Sequence, residues 1–240
     1  MVEYKTPGEV DAMHAAGQVT ARILAAVRAQ AAPGVSLVEL DAMARDVLAG
    51  EGATSPFLGY KPAFARSAFP AVICASVNDA ALHDIPGRYR LRDGDLLSVD
   101  CGAVLDGWAS DAAVSFQVGR QRKADTRLIA TATEALRAGI AAAVPGGRLG
   151  DISAAIGAVG RAMHEDPHVP NDGRAGRGLN LRPGLVIAIE PWFLAGGIDA
   201  YRIDRNGWTI RSWDGSRAAH VEHTVAITPD GPRVLTALPG

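Results

Sequence analysis

The chain has 240 residues, of which 48% are hydrophobic and 21% are charged, enough for one large domain with a full hydrophobic core or for two small ones. A formal net charge of −2 and the lack of a long basic run argue against a nucleic-acid partner. With only two cysteines and no apolar run of membrane-spanning length, we expect a soluble cytoplasmic protein without a disulfide framework or a membrane partner.

Local signals predict helices at the beginning and in the middle of the chain, with strands between them. The sequences TPGE (residues 6–9) and SLVE (residues 36–39) are capping boxes, and apolar residues at helical spacing follow each. A third helix is predicted over residues 125–144, where a Pro-Gly pair ends it. Residues 70–78 and 95–105 are rich in β-branched residues and are predicted strands.

A diverged internal repeat relates the two halves of the sequence. LRDGDLLSVD at residues 91–100 aligns without gaps with LRPGLVIAIE at residues 181–190, and both segments end in an acid. Upstream, AAPGVSLVEL at residues 31–40 matches AVPGGRLGDI at residues 143–152 in the same way. Each half therefore contains a helix, a Pro-Gly turn, a second helix and strands that end in an acid.

This repeat predicts a single pseudo-symmetric α+β domain over residues 1–240. Its halves cover about residues 1–120 and 121–240. The repeated acids are then expected to meet near the axis that relates the halves.

Four acids follow or precede apolar strand-like segments, where an unpaired carboxylate would be costly. Asp100 follows LLSV, and Glu190 follows VIAI. Asp111 lies eleven residues after Asp100, a spacing that suits neighbouring strands of a hairpin, and Glu222 comes just before another strand. Because no comparable cluster of lysine or arginine accompanies them, the acids indicate a divalent metal site. The alternative is that each acid is a turn residue or pairs with an arginine.

These motifs resemble those of the type I methionine aminopeptidases, which have the pita-bread fold. The resemblance runs from Lys5 to Thr228 and is carried by PGVSLVELD, GYKPAFARSAFPAVICASVN, HDIP, GDLLSVDCGAVLDGWASD, MHEDPHVPN, LRPGLVIAIEP and HVEHT. It implies an antiparallel-rich central sheet with helices on its outer face. It also implies a monomeric metallo-exopeptidase that removes N-terminal methionine from peptides and nascent proteins, with two divalent metal ions of the Mn, Fe, Co or Zn class.

The resemblance also implies the site residues. The metal ligands would be Asp100, Asp111, Glu190 and Glu222, of which Asp111 and Glu222 would bridge the two ions. His83 and His164 match histidines that contact substrate and stabilise the transition state, although Asp84 follows His83 where the family usually has glycine. The methionine side-chain pocket would be formed by Tyr60, Phe69, Cys74, Met163 and Trp208. Without the resemblance, the histidines, Cys74 and Trp208 would be interpreted as structural residues.

One family ligand has no counterpart in this sequence. The family carries a metal-binding histidine in a GHGIGR strand just before MHEDP, whereas this chain has GAVGR there, with Gly157 at the histidine position. The same residues also match the family helix that precedes that strand. This double match indicates an internal deletion of somewhat under twenty residues. We expect either that residues 156–161 form a replacement strand or that this region is poorly ordered.

Loss of the nitrogen ligand would leave an all-oxygen site with reduced metal occupancy, shifted toward harder ions such as Mg²⁺ or Mn²⁺. Two histidines could supply a substitute donor, namely His164 and His220. His220 precedes Glu222 by two residues and should share its face of the strand, whereas His223 should point away. The alternative is that His220 is a hydrogen-bond partner of the carboxylates rather than a ligand.

Three functions are compatible with these observations. The first is a methionyl aminopeptidase with impaired activity. The second is a non-catalytic pita-bread module that binds peptide or protein partners; the missing ligand favours it, and the four retained carboxylates count against it. The third is a related hydrolase such as a proline-specific peptidase. Such enzymes usually carry an additional N-terminal domain, which we do not expect here because the first helix begins at Thr6.

Overall fold

The computed structural model describes the whole chain except residues 1, 64, 163–172, 199 and 238–240. The described residues form helices α1 (Pro7–Gln30), α2 (Leu37–Gly50), α3 (Lys123–Ala142) and α4 (Leu149–Ala162). The strands are β1 (Ile73–Val77), β2 (Ala80–Leu82), β3 (Leu96–Leu105), β4 (Trp108–Gln117), β5 (Val186–Ile189), β6 (Trp192–Leu194), β7 (Tyr201–Ile203), β8 (Ile210–Ser212), β9 (Ala218–His220), β10 (Glu222–Thr228) and β11 (Gly231–Val234). The predicted α+β class is confirmed. None of the helices in this part of the chain is long and apolar enough to span a membrane.

Both predicted capping boxes are present. The Thr6 hydroxyl accepts a hydrogen bond from the backbone of Glu9, and the Glu9 carboxylate accepts one from the backbone N–H of Thr6 at 2.7 Å. Ser36 and Glu39 form the same reciprocal pair at the start of α2. The third helix begins and ends two residues earlier than the predicted range of 125–144.

The main sheet is antiparallel and has the strand order β1-β3-β4-β10-β11, with β5 paired to β10. The hairpin expected from the spacing of the acids is formed by β3 and β4, in which Gly102 lies opposite Asp111. The predicted strand over residues 95–105 is confirmed as β3, which continues past Asp100 to Leu105, so this strand does not end at the acid. Asp100 is therefore paired on both sides, with Cys74 of β1 and with Ala113 of β4, and this pairing fixes the direction of its side chain.

Two apolar clusters attach the helices to the sheet. The first joins α1 and α2 to β1, β3 and β4, with Ile23, Leu40 and Leu97 fully buried. The second joins α3 and α4 to β5 and β10, with Ile156 and Val225 among its buried members.

The backbone repeats the same contacts in both halves. Gly34 donates to the carbonyl of Leu91 at 2.7 Å, and Gly146 donates to the carbonyl of Leu181 at 2.8 Å. In return, the N–H of Leu91 donates to the carbonyl of Val35 at 2.8 Å, and the N–H of Leu181 donates to the carbonyl of Gly147 at 2.9 Å. Gly34 and Gly146 have left-handed φ angles, of 94° and 86°, which glycine adopts without strain. These matched contacts support our proposal that the chain is one domain made of two related halves.

Residues 156–161 do not form a replacement strand, because α4 runs through them to Ala162. Ile152 and Ile156 are buried in the second cluster, and Val159 packs against it. This spacing of four and three residues places all three side chains on one helical face. Within the described residues, β5 consequently has a strand neighbour on one side only, β10.

A threonine side chain extends the junction between β4 and β10, where two of the four acids lie. The backbone register at this junction covers only Glu222 and His223. The next residue, Thr224, is 5% exposed; its hydroxyl accepts from the N–H of Asp111 at 2.9 Å and donates to the Asp111 carbonyl at 2.7 Å. Thr224 thereby holds the backbone of Asp111 against β10.

We expect Thr224→Val to lower the free energy of unfolding by about 1–3 kcal/mol, because valine keeps the shape but leaves polar backbone groups of Asp111 unpaired. Urea denaturation measures this change. Thr228→Val is the matched control: its hydroxyl donates to Gly231 within a partly buried turn, so its loss should cost less. Equal losses in the two variants would contradict a special role for Thr224.

Candidate active site

Four strands bring the four acids to one cavity of about 600 Å³. Asp100 lies in β3, Asp111 in β4 and Glu222 at the start of β10, and Glu190 directly follows β5. One oxygen each from Asp100, Asp111 and Glu222 lie within 4.8 Å of one another. Glu222 also forms a second group of that size with Glu190 and His220. The structure therefore brings together all four acids that the sequence singled out.

The structure gives the four acids no lysine or arginine partner in the part of the chain that it describes. Oδ1 of Asp100 and Oδ1 of Asp111 are buried without a hydrogen-bond partner in this part of the chain. Buried, unpaired carboxylate oxygens are rare and costly. The arrangement suits divalent cations, which take oxygen ligands of this kind, and it does not support the alternative of arginine pairing.

Burial and mutual repulsion alter the acidity of the cluster. Burial, with the charges of Asp111 and Glu190 nearby, raises the pKa of Glu222 from 4.5 to about 10. Burial likewise raises the pKa of Asp111 from 3.8 to about 7, and it raises the pKa of Asp100 well above its usual value. Glu190 differs, because its polar contact with the His220 ring lowers its pKa. At neutral pH the metal-free cluster therefore retains protons that a bound cation would displace.

His220 and His223 have different surroundings, as expected, although His220 ends β9 and His223 lies in β10. Nε2 of His220 lies 3.6 Å from Glu190 Oε2 and 3.8 Å from Glu222 Oε2. Nδ1 of His223 instead lies 2.9 Å from the hydroxyl of Thr236, on the other face of β10.

His83 lines the same cavity. Its backbone has a left-handed φ of 56°, a conformation that costs energy in a residue with a side chain and is often found at functional sites. Burial, and then the nearby His220, lowers the pKa of His83, so its ring is neutral at pH 7 and can donate one N–H. The conformation is held by its neighbour, because Asp84 donates its N–H to Ser76 Oγ at 3.2 Å and accepts from Ala75 N–H at 3.0 Å.

Asp84, which replaces the usual family glycine, is not part of the acid cluster. Its Oδ1 accepts a hydrogen bond from Thr209 at 2.8 Å, and Arg211 lies 3.6 Å from Oδ2. Arg211 also binds Asp204 at 2.6 Å and Asp79 at 2.9 Å. This network joins the segment after β2 to the β7–β8 hairpin, and we did not predict it from the sequence.

Aromatic side chains form an apolar wall beside the acids. The rings of Phe69 and Trp208 meet edge to face at 5.1 Å, and Tyr60 lies 6.5 Å from Trp208. Cys74 packs in the same cluster and also lines the cavity. Phe57 also belongs to this wall, and its ring lies 6.3 Å from that of Phe69. The sequence analysis did not identify it as a site residue. Its position three residues before Tyr60, in SPFLGY, was the only signal in the sequence.

The structure brings Tyr60, Phe69, Cys74 and Trp208 together with the four acids and His83. Two further predicted site residues, Met163 and His164, lie outside the described residues.

Comparisons with known proteins extend over nearly the whole chain. A sequence profile of metallopeptidase family M24 matches residues 11–159 and 157–229. Methionine aminopeptidase 1 of Mycobacterium tuberculosis is 46% identical over 260 aligned positions, covering 98% of this chain and 95% of that protein. A methionine aminopeptidase of Clostridium perfringens is 39% identical, covering 99% and 100%.

Solved structures give the fold. Methionine aminopeptidases from Thermotoga maritima and Rickettsia prowazekii superpose with a TM-score of 0.91 each, at 33% and 30% identity, covering 99% of this chain and 100% of theirs. The expected pita-bread fold is thereby confirmed. A prolidase from Pyrococcus furiosus, with a TM-score of 0.75 at 18% identity and only 66% of its length covered, shares the fold alone.

The same comparisons support the predicted internal deletion. The two stretches matched by the family profile overlap at residues 157–159, so these residues correspond to two places in the family at once. The alignment with the Mycobacterium protein extends over 260 positions, whereas the chain has 240 residues. At least 20 aligned positions therefore have no residue in this chain, which is more than the expected deletion of somewhat under twenty residues.

We expect the metal-free protein to lose stability as the pH rises. Between the usual pKa of 3.8 and the folded-state pKa of about 7, folded Asp111 holds a proton that the unfolded chain has released. The stabilising contribution is thus complete below about pH 4 and is lost as the pH rises through about 7. Glu222, with a folded-state pKa of about 10, extends the decline.

Urea denaturation in the presence of a chelator, at pH values from 5 to 8, measures this dependence. Asp111→Asn and Glu222→Gln should each flatten it, because an amide does not titrate. An identical pH dependence in the wild-type protein and both variants would contradict the assignment.

Proposed function

The chain belongs to metallopeptidase family M24, and we infer that it is a metal-dependent aminopeptidase that removes N-terminal methionine from peptides and nascent proteins. The observation that carries this conclusion is the convergence of four carboxylates, with no lysine or arginine partner among the described residues, on a cavity with an aromatic wall. The names of the relatives that match the chain from end to end agree with it.

We propose that Asp100, Asp111, Glu190 and Glu222 hold two divalent ions of the Mn, Fe, Co or Zn class. Support comes from the unpaired buried oxygens of Asp100 and Asp111 and from the carboxylate-rich set of donors. When bound, such ions activate a water molecule and polarise the peptide carbonyl. By resemblance to the family, Asp111 and Glu222 would help to hold both ions, and Glu222 belongs to both groups of close donors.

The protein itself binds and orients the substrate in this proposal. The free amine of the substrate lies near Asp100, whose negative charge complements it. The neutral ring of His83, at the wall of the cavity, donates its N–H to the peptide. By resemblance to the family, His164 stabilises the negative charge that develops on the carbonyl oxygen. These positions hold the first peptide bond against the carboxylates and so favour cleavage at the N-terminus.

The apolar wall is the proposed binding site for the methionine side chain. Phe69 and Trp208 are buried, and Tyr60 is exposed at the rim. A thioether packs favourably against aromatic rings, and Phe69 and Trp208 both line the cavity beside the acids. Cys74 and Phe57 complete the wall, and Met163 joins it by resemblance.

We further propose that the protein works in the cytoplasm as a monomer, where nascent N-termini are its substrates. Its two cysteines are free and buried, which suits a reducing compartment. The competing function, a non-catalytic module that binds peptides or proteins, is favoured by the lost histidine ligand. The retained carboxylates and the adjoining apolar pocket favour catalysis.

We expect the Mn²⁺-loaded protein to hydrolyse a Met-Ala-Ser peptide and to leave the N-acetylated peptide intact, because the free amine is part of the recognised group. Glu222→Gln should lower the rate by about 10–100-fold, as is typical when a metal ligand or its support is lost. Product formation followed by chromatography measures both effects. Stoichiometric metal binding without turnover of the free peptide would support the binding module instead.

We expect activity to lie well below that of an intact family member and to rise when a GHGIG segment is restored between Gly157 and Met163. The added histidine should recover about 10–100-fold in activity or metal affinity. An insertion of equal length with alanine in place of that histidine is the control. It distinguishes the effect of the histidine ligand from the effect of the added segment. Full activity of the chain as it stands, at micromolar metal, would contradict the proposed impairment.

A further inference from the structure

We propose that His220 is a metal ligand in this chain and supplies the nitrogen donor that the internal deletion removed. Together with Glu190 and Glu222 it forms one site of two carboxylates and one imidazole. This inference rests on the proposed metal centre and assigns to that centre a ligand from β9.

The backbone at His220 is held firmly, so the ring has a defined direction. His220 is the last residue of β9 and lies opposite Trp192 of β6. Its N–H donates to Ser115 Oγ at 2.8 Å, and Ser115 donates to the His220 carbonyl at 2.7 Å. The Ser115 hydroxyl lies 2.6 Å from that of Ser98. These contacts attach the end of β9 to β3 and β4, the strands that carry Asp100 and Asp111.

In the described part of the chain, the ring nitrogen that faces the acids makes no hydrogen bond of normal length, and its contact with Glu190 is 3.6 Å long. His220 is 1% exposed, and its Nε2 is buried without a hydrogen-bond partner among the described residues. A buried imidazole nitrogen in this state is costly and calls for a ligand or ion that the protein atoms do not provide.

The distances fit a shared ion better than a hydrogen bond. Nε2 lies 3.6 Å from Glu190 Oε2 and 3.8 Å from Glu222 Oε2, beyond the usual limit of about 3.2 Å for an N–H···O bond. Ligands placed about 2.0–2.2 Å from one tetrahedral ion are separated by about 3.4 Å. The two separations from His220 are close to this value, and the donor atoms of Glu190 and Glu222 lie within 4.8 Å of each other.

The other described histidines do not offer this geometry. His223 is turned toward Thr236 on the opposite face of β10, and the ring of His14 lies 3.4 Å from Gln18 in α1. His83 lines the cavity, but its nitrogens belong to neither group of close donors in the described part of the chain. In this proposal the site is not all-oxygen, and an imidazole donor would favour ions such as Zn²⁺ and Co²⁺ over Mg²⁺.

The test compares Zn²⁺, Co²⁺ and Mn²⁺ binding by calorimetry in His220→Ala, His220→Gln and the matched control His223→Ala. We expect both His220 variants to lose tenfold or more in affinity for one ion, with the larger loss for Zn²⁺ and Co²⁺, while His223→Ala binds like the wild-type protein. Glutamine can still hydrogen-bond to the carboxylates, so retained affinity in His220→Gln alone would indicate a hydrogen-bonding role and overturn the inference.

X-ray absorption of the Co²⁺-loaded wild-type protein provides a second readout, whose first result requires no variant. We expect imidazole scattering from the bound ion, which decreases in His220→Gln. Metal binding with no imidazole scattering, or scattering unchanged in His220→Gln, would overturn the His220 assignment and leave the carboxylate centre intact. A wild-type protein that binds none of the three ions would overturn both the inference and the proposed function.

Discussion

Crowding of four carboxylates in one partly buried cavity is the constraint on which the rest of the structure depends. Asp100 and Glu222 are 7% and 3% exposed, and no described lysine or arginine compensates them. The antiparallel pairing of β3 with β4, and of β10 with both β4 and β5, leaves these side chains no other place to point. Such a cluster persists only if protons or cations remove its charge, and the cavity beside it gives cations and a peptide access.

The proposed deletion changes the set of metal ligands, but it leaves in place the sheet that positions the carboxylates. Helix α4 stays intact because Ile152 and Ile156 are buried against the second cluster, and β5 still pairs with β10 along its whole length. The carboxylates therefore remain in position without the lost segment. We propose that the deletion removed a nitrogen donor from the metal centre, and His220 lies near two of its acids.

Much of this arrangement could be predicted from local signals. Capping boxes, the hairpin spacing of Asp100 and Asp111, and the opposite directions of His220 and His223 all depend on neighbouring residues and strand periodicity. The course of residues 156–161 could not, because the resemblance of GAVGR to a family strand competed with the helical burial of Ile156. The link from Asp84 to Arg211 joins segments distant in sequence, and neither residue carries a local signal of its partner.

The number of protons released when Mn²⁺ binds at pH 7 tests the central claim most directly. Isothermal titration in buffers with different ionisation enthalpies gives this number. Because the pKa of Glu222 is raised to about 10 and that of Asp111 to about 7, we expect a net release of at least about one proton per chain. Tight binding without proton release would mean that the carboxylates are already ionised in the metal-free protein, which would contradict the account.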